Sequence, residues 1–219
     1  MASASTKPHK GIGMEGVIAF WYARQTARDV DEFQRVARRI AAHLNPGSQV
    51  LEIAPGPGYL AIELARVIDG RVTGLDISRS FVRMARENAR KAGLRIDFEH
   101  GDAADLPFPD NQFDFIACRA AFKNFARPLA ALNEMHRVLK DGGTALVIDL
   151  RKDFSRQAVN DYVSGRNPLA AAMIKLTFNT MLKRRAYTKE SMAGLAAQSQ
   201  FGRAEIRLDP IGFEAWLRK

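Results

Sequence analysis

Three acids and two glycines, Glu52, Gly56, Gly58, Asp76 and Asp102, carry the chemistry legible in this sequence, because they stand where a nucleotide could be held. The run Val50-Leu51-Glu52-Ile53, apolar but for Glu52, leads into Ala54-Pro55-Gly56-Pro57-Gly58, a turn whose glycines carry no side chain. A helical pattern of Leu60, Ile62, Leu64, Ala65 and Ile68 follows, and a second apolar run, Val72-Thr73-Gly74-Leu75, closes on Asp76. Strand, turn, helix, strand and acid in this order hold an adenosine-bearing cofactor. Glycine lets the backbone approach the ligand, and a carboxylate at the second strand's tip accepts hydrogen bonds from ribose hydroxyls. Taken alone, Gly56 to Ala61 also satisfies the loose G-x-G-x-x-G/A pattern of dinucleotide binding, so the glycines by themselves leave the nucleotide open.

Regular alternation around this unit supplies its frame. Strands are expected over residues 49–54, 71–77, 96–99, 113–118 and 144–150, and helices over 59–68, 79–92 and 128–139. Ser78 is the expected N-cap and Gly93 the stop of the second of these helices, and Pro128 suits the first turn of the third. Such alternation implies a parallel sheet with helices on both faces and a ligand site outside the carboxyl ends of its strands. Two helices should precede it, over 15–26 and 30–44, the latter with Phe33, Val36, Ala37, Ile40 and Leu44 on one face. After residue 150 the pattern changes to helices over 155–163, 169–182 and 188–199. Strands over 204–208 and 213–217 follow, joined by Asp209-Pro210-Ile211-Gly212, a link short enough for an antiparallel hairpin. The expected fold is α/β: a Rossmann-like, seven-stranded, mostly parallel sheet with helices on both faces, a C-terminal antiparallel strand pair and helical lid insertions. Residues 1–219 read as one domain, with an N-terminal helical lid (1–46), a cofactor-binding core (47–150), a helical insertion (151–187) and a C-terminal helix and hairpin (188–219).

The totals narrow the class. A chain of 219 residues, 47% hydrophobic and 26% charged, has the length and balance of one soluble globular domain. No apolar run approaches the roughly 18 residues of a membrane span, and residues 1–13 lack the apolar core of a secretory signal. Cys118 is the single cysteine, which excludes an internal disulfide and suits a reducing cytoplasm. His9, His43, His100 and His136 lack metal-ligand spacing, so no metal is expected. Net charge is +9 and uneven: residues 151–219 hold 13 Lys/Arg against 6 Asp/Glu, and residues 1–150 hold 20 against 18. Lys183-Arg184-Arg185 is the densest basic cluster. It suits an anionic substrate, a nucleic acid or an acidic membrane surface, or simply a helix end where cations oppose the dipole.

The wider motif set selects the nucleotide. Glu52-Ile53-Ala54-Pro55-Gly56-Pro57-Gly58, Asp76, Gly101-Asp102-Ala103, residues 106–114 and residues 134–143 together resemble class I S-adenosylmethionine-dependent methyltransferases. The likeness spans residues 49–150 and is nearest the small-molecule branch that includes ubiquinone/menaquinone-biosynthesis methyltransferases. It implies that Glu52 serves the methionyl ammonium, that Ala54, Gly56 and Gly58 line that end of the ligand, and that Asp76 binds the ribose. Ile77 would lie against adenine, Asp102 would accept its exocyclic amine, and the Ala103 backbone N–H would face a ring nitrogen. Arg119, ending the fourth strand, joins this cofactor set. The first glycine position of the family motif is Ala54 here, a change that an extended backbone tolerates and a positive φ disfavours.

The resemblance implies S-adenosylmethionine as cofactor, S-adenosylhomocysteine as product and methyl transfer by in-line displacement to a small acceptor, anionic or hydrophobic, rather than to nucleic acid. Such transfer needs alignment more than acid–base machinery, so no catalytic residue is singled out. Tyr22, Lys123, Asn124 and Tyr187 are the acceptor-site candidates, with Arg119, Arg151 and Tyr162 as further members. Met173, Ile174, Leu176, Phe178, Met181 and Leu182 suit lid packing or an apolar tail. The alternatives are an RNA or protein acceptor, a non-catalytic S-adenosylmethionine-binding protein, and a nicotinamide-dependent oxidoreductase.

Overall fold

The computed structural model describes residues 14–16, 19–20, 23–24, 30–165 and 167–219. Helix α1 (Val30–Ala41) carries Asp31 and Glu32 in its first turn and Arg38 and Arg39 in its last, complementing the helix dipole, and buries Phe33, Val36, Ala37 and Ile40. Much of the helix expected over 15–26 lies outside the described residues. Strand β1 (Ser48–Ile53), helix α2 (Tyr59–Val67), strand β2 (Gly70–Asp76), helix α3 (Arg79–Lys91) and strand β3 (Asp97–His100) follow. The second half of the core is strand β4 (Phe113–Arg119), helix α4 (Pro128–Val138) and strand β5 (Leu139–Leu150). Ser78 caps α3 as expected, its hydroxyl accepting from the Phe81 N–H at 3.1 Å.

The seven strands lie in the order β3-β2-β1-β4-β5-β7-β6, the last two being Gly212–Arg218 (β7) and Glu205–Leu208 (β6). Strands β1 to β5 run parallel, whereas β7 is antiparallel to both β5 and β6. Asp209 closes the β6–β7 turn by accepting from the N–H groups of Ile211 and Gly212 at 2.9 and 2.6 Å. Successive strand residues point to opposite faces, so the sheet feeds two cores. Leu51, Ile53, Ile116, Cys118, Val147 and Phe213 pack on the face covered by α4, and Val50, Val72, Phe115, Ala117 and Leu146 on that covered by α1, α2 and α3. Strand β5 starts five residues earlier than its apolar run suggests: Leu139 pairs with Phe113, and a register shift then absorbs the Asp141-Gly142-Gly143 turn. A turn-forming composition does not prevent strand pairing when an irregularity takes up the extra residues.

The insertion after β5 holds helix α5 (Arg156–Tyr162) and helix α6 (Pro168–Thr177), prolonged through a π turn (Phe178–Leu182) to Lys183–Arg185. Its chain returns to the sheet end, where Arg151 bridges to Tyr187 and the Lys152 N–H donates to the Tyr187 carbonyl at 2.8 Å. Thr188 then caps helix α7 (Lys189–Gln198) in a reciprocal pair with Ser191.

One charged pair lies inside this frame. Lys123 Nζ meets Asp149 Oδ1 at 2.7 Å with both side chains buried, and Asp149 also accepts the N–H groups of Lys123 at 2.8 Å and Leu150 at 2.7 Å. Removing one partner of such a pair leaves the other charge buried, which costs about 3–5 kcal/mol. Lys123→Met is therefore expected to lower unfolding free energy by about 3 kcal/mol in urea titration, with an unchanged denaturant slope.

Candidate functional site

The carboxyl ends of β1, β2 and β4 converge on a turn whose geometry begins at Ala54. Ala54 has φ of 56°, so the extended backbone that would tolerate a methyl there is not what forms. A left-handed non-glycine residue costs roughly 1–2 kcal/mol, and the turn is held regardless. The Ala54 N–H donates to the Leu75 carbonyl at 2.8 Å, and the Gly58 N–H to the Pro55 carbonyl at 3.0 Å. Asn88 of α3 donates to the Pro57 carbonyl at 2.9 Å. Gly58 must be glycine: its φ is 83°, and a Cβ there would lie 3.0 Å from Ala85 Cβ and 3.1 Å from Phe98 Cζ.

Two carboxyl groups are buried behind this turn. Asp76, at the end of β2, accepts from the Gly56 N–H at 3.0 Å and the Ser78 N–H at 2.8 Å. Desolvation pushes its pKa up to about 6 despite those two donors. Glu52 is 3% exposed within β1, and its Oε2 has no hydrogen-bond partner among the described residues. Burial raises its pKa to about 8, opposed by the charge of Arg119 and by the Ala61 N–H in the first turn of α2. A buried carboxyl oxygen with no donor is costly. A ligand ammonium beside it would supply the missing donor and favour the ionised form, so the residues present fit the amino-acid end of S-adenosylmethionine.

The remaining expected contacts fall around the same mouth. The Gly101 N–H donates to the Asp76 carbonyl at 3.0 Å, tying the β3 exit to the β2 exit. Asp102 accepts from the Ala104 N–H at 2.9 Å through Oδ1 and pairs with Arg127 at 2.8 Å through Oδ2, so both oxygens are engaged within the chain. Ala103 is buried in the core, and Ile77 is half-buried beyond Asp76. Arg119 stacks over the Phe33 ring, 4.7 Å from its centroid, and lends its charge to Glu52.

The acceptor candidates separate. Tyr22 lies outside the described residues. Lys123 is withdrawn from the mouth, because its ammonium is spent on Asp149 inside the fold. Asn124 ends a short 3-10 turn (Phe122–Asn124), and its Oδ1 accepts from Arg185 at 3.3 Å, which leaves Nδ2 as the donor. Tyr187 packs on Phe122 with ring centroids 5.6 Å apart, and Phe122 meets Phe125 at 5.2 Å. Desolvation, and then Asp149, raise the Tyr187 phenol above its ordinary value, so it stays protonated at neutral pH and donates rather than takes protons. Asn124 and Tyr187 are thus brought to one end of the sheet; Arg151, by contrast, pairs with Asp153 at 2.7 Å.

Sequence reasoning missed Glu15. Its carboxylate accepts from the Arg79 and Ser80 N–H groups at 2.9 and 3.1 Å, the Gly16 N–H donates to Ser80 Oγ, and Ser78 Oγ donates to the Met14 carbonyl. Desolvation works against that charge, but hydrogen bonds from Ser80, Ser78 and Arg79 outweigh it and hold Glu15 below the usual range. Tyr59 adds a bond to the Ala23 carbonyl at 3.1 Å. These partners lie 36 to 65 residues apart in sequence, so no local signal marks them.

A family model described as a methyltransferase domain matches residues 50–143. A demethylmenaquinone methyltransferase of Porphyromonas gingivalis is 32% identical over 177 residues, covering 77% of this chain and 69% of the relative. Another, from Listeria welshimeri, is 34% identical over 139 residues, covering 62% of this chain and 56% of the relative. The chain thus spans little more than half the length of the first curated relatives it matches. Among solved structures, a Methanococcus maripaludis protein provisionally classed as an S-adenosyl-L-methionine-dependent methyltransferase superposes with a TM-score of 0.77. It shares 22% identity, over 96% of this chain and 95% of that one.

Two measurements test the buried groups. A carboxyl whose folded pKa lies above its unfolded value contributes stability that is complete at low pH and lost as pH rises through the folded value. For Glu52 that window runs from about pH 4.5 to about 8. The ligand-free protein should therefore melt several degrees lower at pH 8 than at pH 5 in differential scanning fluorimetry, and Glu52→Gln should remove most of that slope. Ala54→Gly should raise the unfolding free energy by about 0.5–1 kcal/mol, relief of the left-handed strain exceeding the added chain entropy.

Proposed function

Because the chain belongs to the class I S-adenosylmethionine-dependent methyltransferase family, we propose that it transfers a methyl group from S-adenosylmethionine to a small-molecule acceptor. The observation that carries this reading is Glu52, a buried carboxyl at the base of the glycine turn with an oxygen that has no partner among the described residues. In this reading Glu52 holds the ligand's ammonium, the backbone of Ala54, Gly56 and Gly58 lines its amino-acid end, and Asp76 takes the ribose hydroxyls. Both Asp76 oxygens already accept one backbone N–H, which fixes the carboxylate and leaves each a second lone pair. Ile77, Asp102 and Ala103 frame the adenine, with Arg127 orienting Asp102.

The bound cofactor supplies a methyl group already activated for displacement, so the chain's task is alignment and exclusion of water. The finer proposal is a flat, apolar acceptor of the reduced naphthoquinone kind. Two relatives' names, demethylmenaquinone and 2-phytyl-1,4-naphtoquinone methyltransferase, support that class. So does the aromatic cluster at the β4 exit, where Phe125 and Tyr187 pack on the buried Phe122. Asn124 Nδ2 and the Tyr187 phenol would donate to ring oxygens and hold the reacting carbon in line. A reducing cytoplasm is the proposed compartment, supported by Cys118 being a single, buried thiol whose pKa burial pushes up.

S-adenosylhomocysteine should raise the melting temperature, and NAD should not. Asp76→Asn and Asp76→Ala should each weaken its binding roughly ten- to a hundredfold in calorimetric titration, the loss of about one charged hydrogen bond or two. Labelled methyl from S-adenosylmethionine should appear in a demethylated naphthoquinol offered as acceptor. Failure of S-adenosylhomocysteine to bind the folded protein would overturn the assignment.

A further inference from the structure

The helical insertion carries a feature that methyl transfer does not require. Residues 162–189 contain six Lys/Arg, namely Arg166, Lys175, Lys183, Arg184, Arg185 and Lys189, and no Asp or Glu. Charged surface helices ordinarily mix signs, so a stretch of this length without one acid is a sustained positive field. Within it, α6 is apolar on two sides. Its inner side, Ile174, Phe178 and Leu182, packs with Phe154 and Val159. Its outer side places Met173 and Leu176 in solvent at 51% and 66% exposure, one helical turn apart, with Thr177, Thr180 and the exposed Arg184 continuing the face. Tyr162, 41% exposed at the end of α5, stands nearby with its ring 5.5 Å from that of Phe178. Between α5 and α6 a cavity of about 270 Å³ is lined by Arg156, Val159, Asn160 and Lys175, so two cations wall a space that could admit a phosphate.

We propose that this insertion docks the protein on the surface of an anionic lipid bilayer. Met173 and Leu176 enter the headgroup region, Tyr162 lies at its edge, and the Arg156–Lys175 wall receives a lipid phosphate. An acid-free helix that exposes aliphatic side chains among cations has the character of an interfacial helix lying in the membrane plane. Among the described residues no helix is long and apolar enough to cross a bilayer, so the contact is one of lying on rather than spanning. Charge complementarity selects anionic lipid, each cation near such a surface being worth about fivefold in partitioning. Nucleic acid shares the charge requirement but is held by stacked aromatic platforms, whereas the most exposed large apolar side chains described in this insertion are the aliphatic Met173 and Leu176.

The test is co-sedimentation of the full chain with vesicles of phosphatidylglycerol and phosphatidylcholine in equal parts, beside vesicles of phosphatidylcholine alone. The protein should sediment with the first and not the second. Leu176→Asp should lower partitioning about tenfold or more, and Arg184→Glu about fivefold or more. Val67→Asp, a control at an exposed apolar residue on α2, should leave it unchanged. Each variant should keep its melting shift with S-adenosylhomocysteine, which verifies folding and separates this result from the fate of the methyltransferase reading. No sedimentation with anionic vesicles, or equal sedimentation of Leu176→Asp, overturns the proposal. So does retention of an RNA oligonucleotide that Arg184→Glu abolishes while vesicles are ignored, or conversion of a dimer to monomer by Leu176→Asp with no effect on vesicles.

Discussion

The whole mouth of this protein depends on the placement of the Asp76 carboxylate. Its two oxygens bind the Gly56 and Ser78 N–H groups, and its own carbonyl receives the Gly101 N–H. One residue therefore joins the exits of β1, β2 and β3, three loops that a parallel sheet brings to the same edge but does not itself fasten. Buried carboxylates persist where donors compensate their desolvation. Here the compensation is backbone N–H, which side-chain motion cannot withdraw.

Glu52 is the counterpart with less compensation: desolvation raises both carboxyls, Asp76 to about 6 and Glu52 to about 8. It sits one strand away with an oxygen that has no partner among the described residues, so burial raises its pKa further and the group favours its neutral form. The contrast is between a carboxyl held by two backbone donors, Asp76, and one with an unpartnered oxygen among the described residues, Glu52, whose ionised form a neighbouring cation would favour. A ligand carrying both ribose hydroxyls and an ammonium would bridge them. The strained Ala54 belongs to the same economy of structure, because the turn that presents Gly56 to Asp76 needs a left-handed residue at that step.

The fourth strand ends in a second fastening of a different kind. Ala120 is left-handed with φ of 59°, its N–H donates to the Ile148 carbonyl at 2.7 Å, and the Lys123–Asp149 pair anchors the turn that follows. That anchor aims Phe122 inward and leaves Asn124 and Tyr187 at the sheet end, where Arg185 from the far end of α6 reaches Asn124. The insertion is thus tied to the candidate acceptor side of the mouth, while its outer face, with Met173 and Leu176, stays turned to solvent.

Strand and helix alternation, the helix cap at Ser78, the hairpin at Asp209 and the glycine turn between β1 and α2 were all legible in the sequence, because periodicity and turn chemistry act over a few residues. The order of the motifs likewise marked Glu52, Asp76 and Asp102 as the acids to follow. What only the tertiary structure decided were relations across long separations. Lys123, which reads as a mouth residue from its place after a strand, is drawn inside by an aspartate 26 positions away. Glu15 caps a helix 64 positions away, and Ala54 is left-handed at the point where the chain leaves β1 beside Leu75 of the neighbouring strand. Local chemistry chooses the conformations a segment can adopt, but desolvation and hydrogen-bond completion, which choose among them, depend on neighbours that only the packed chain supplies.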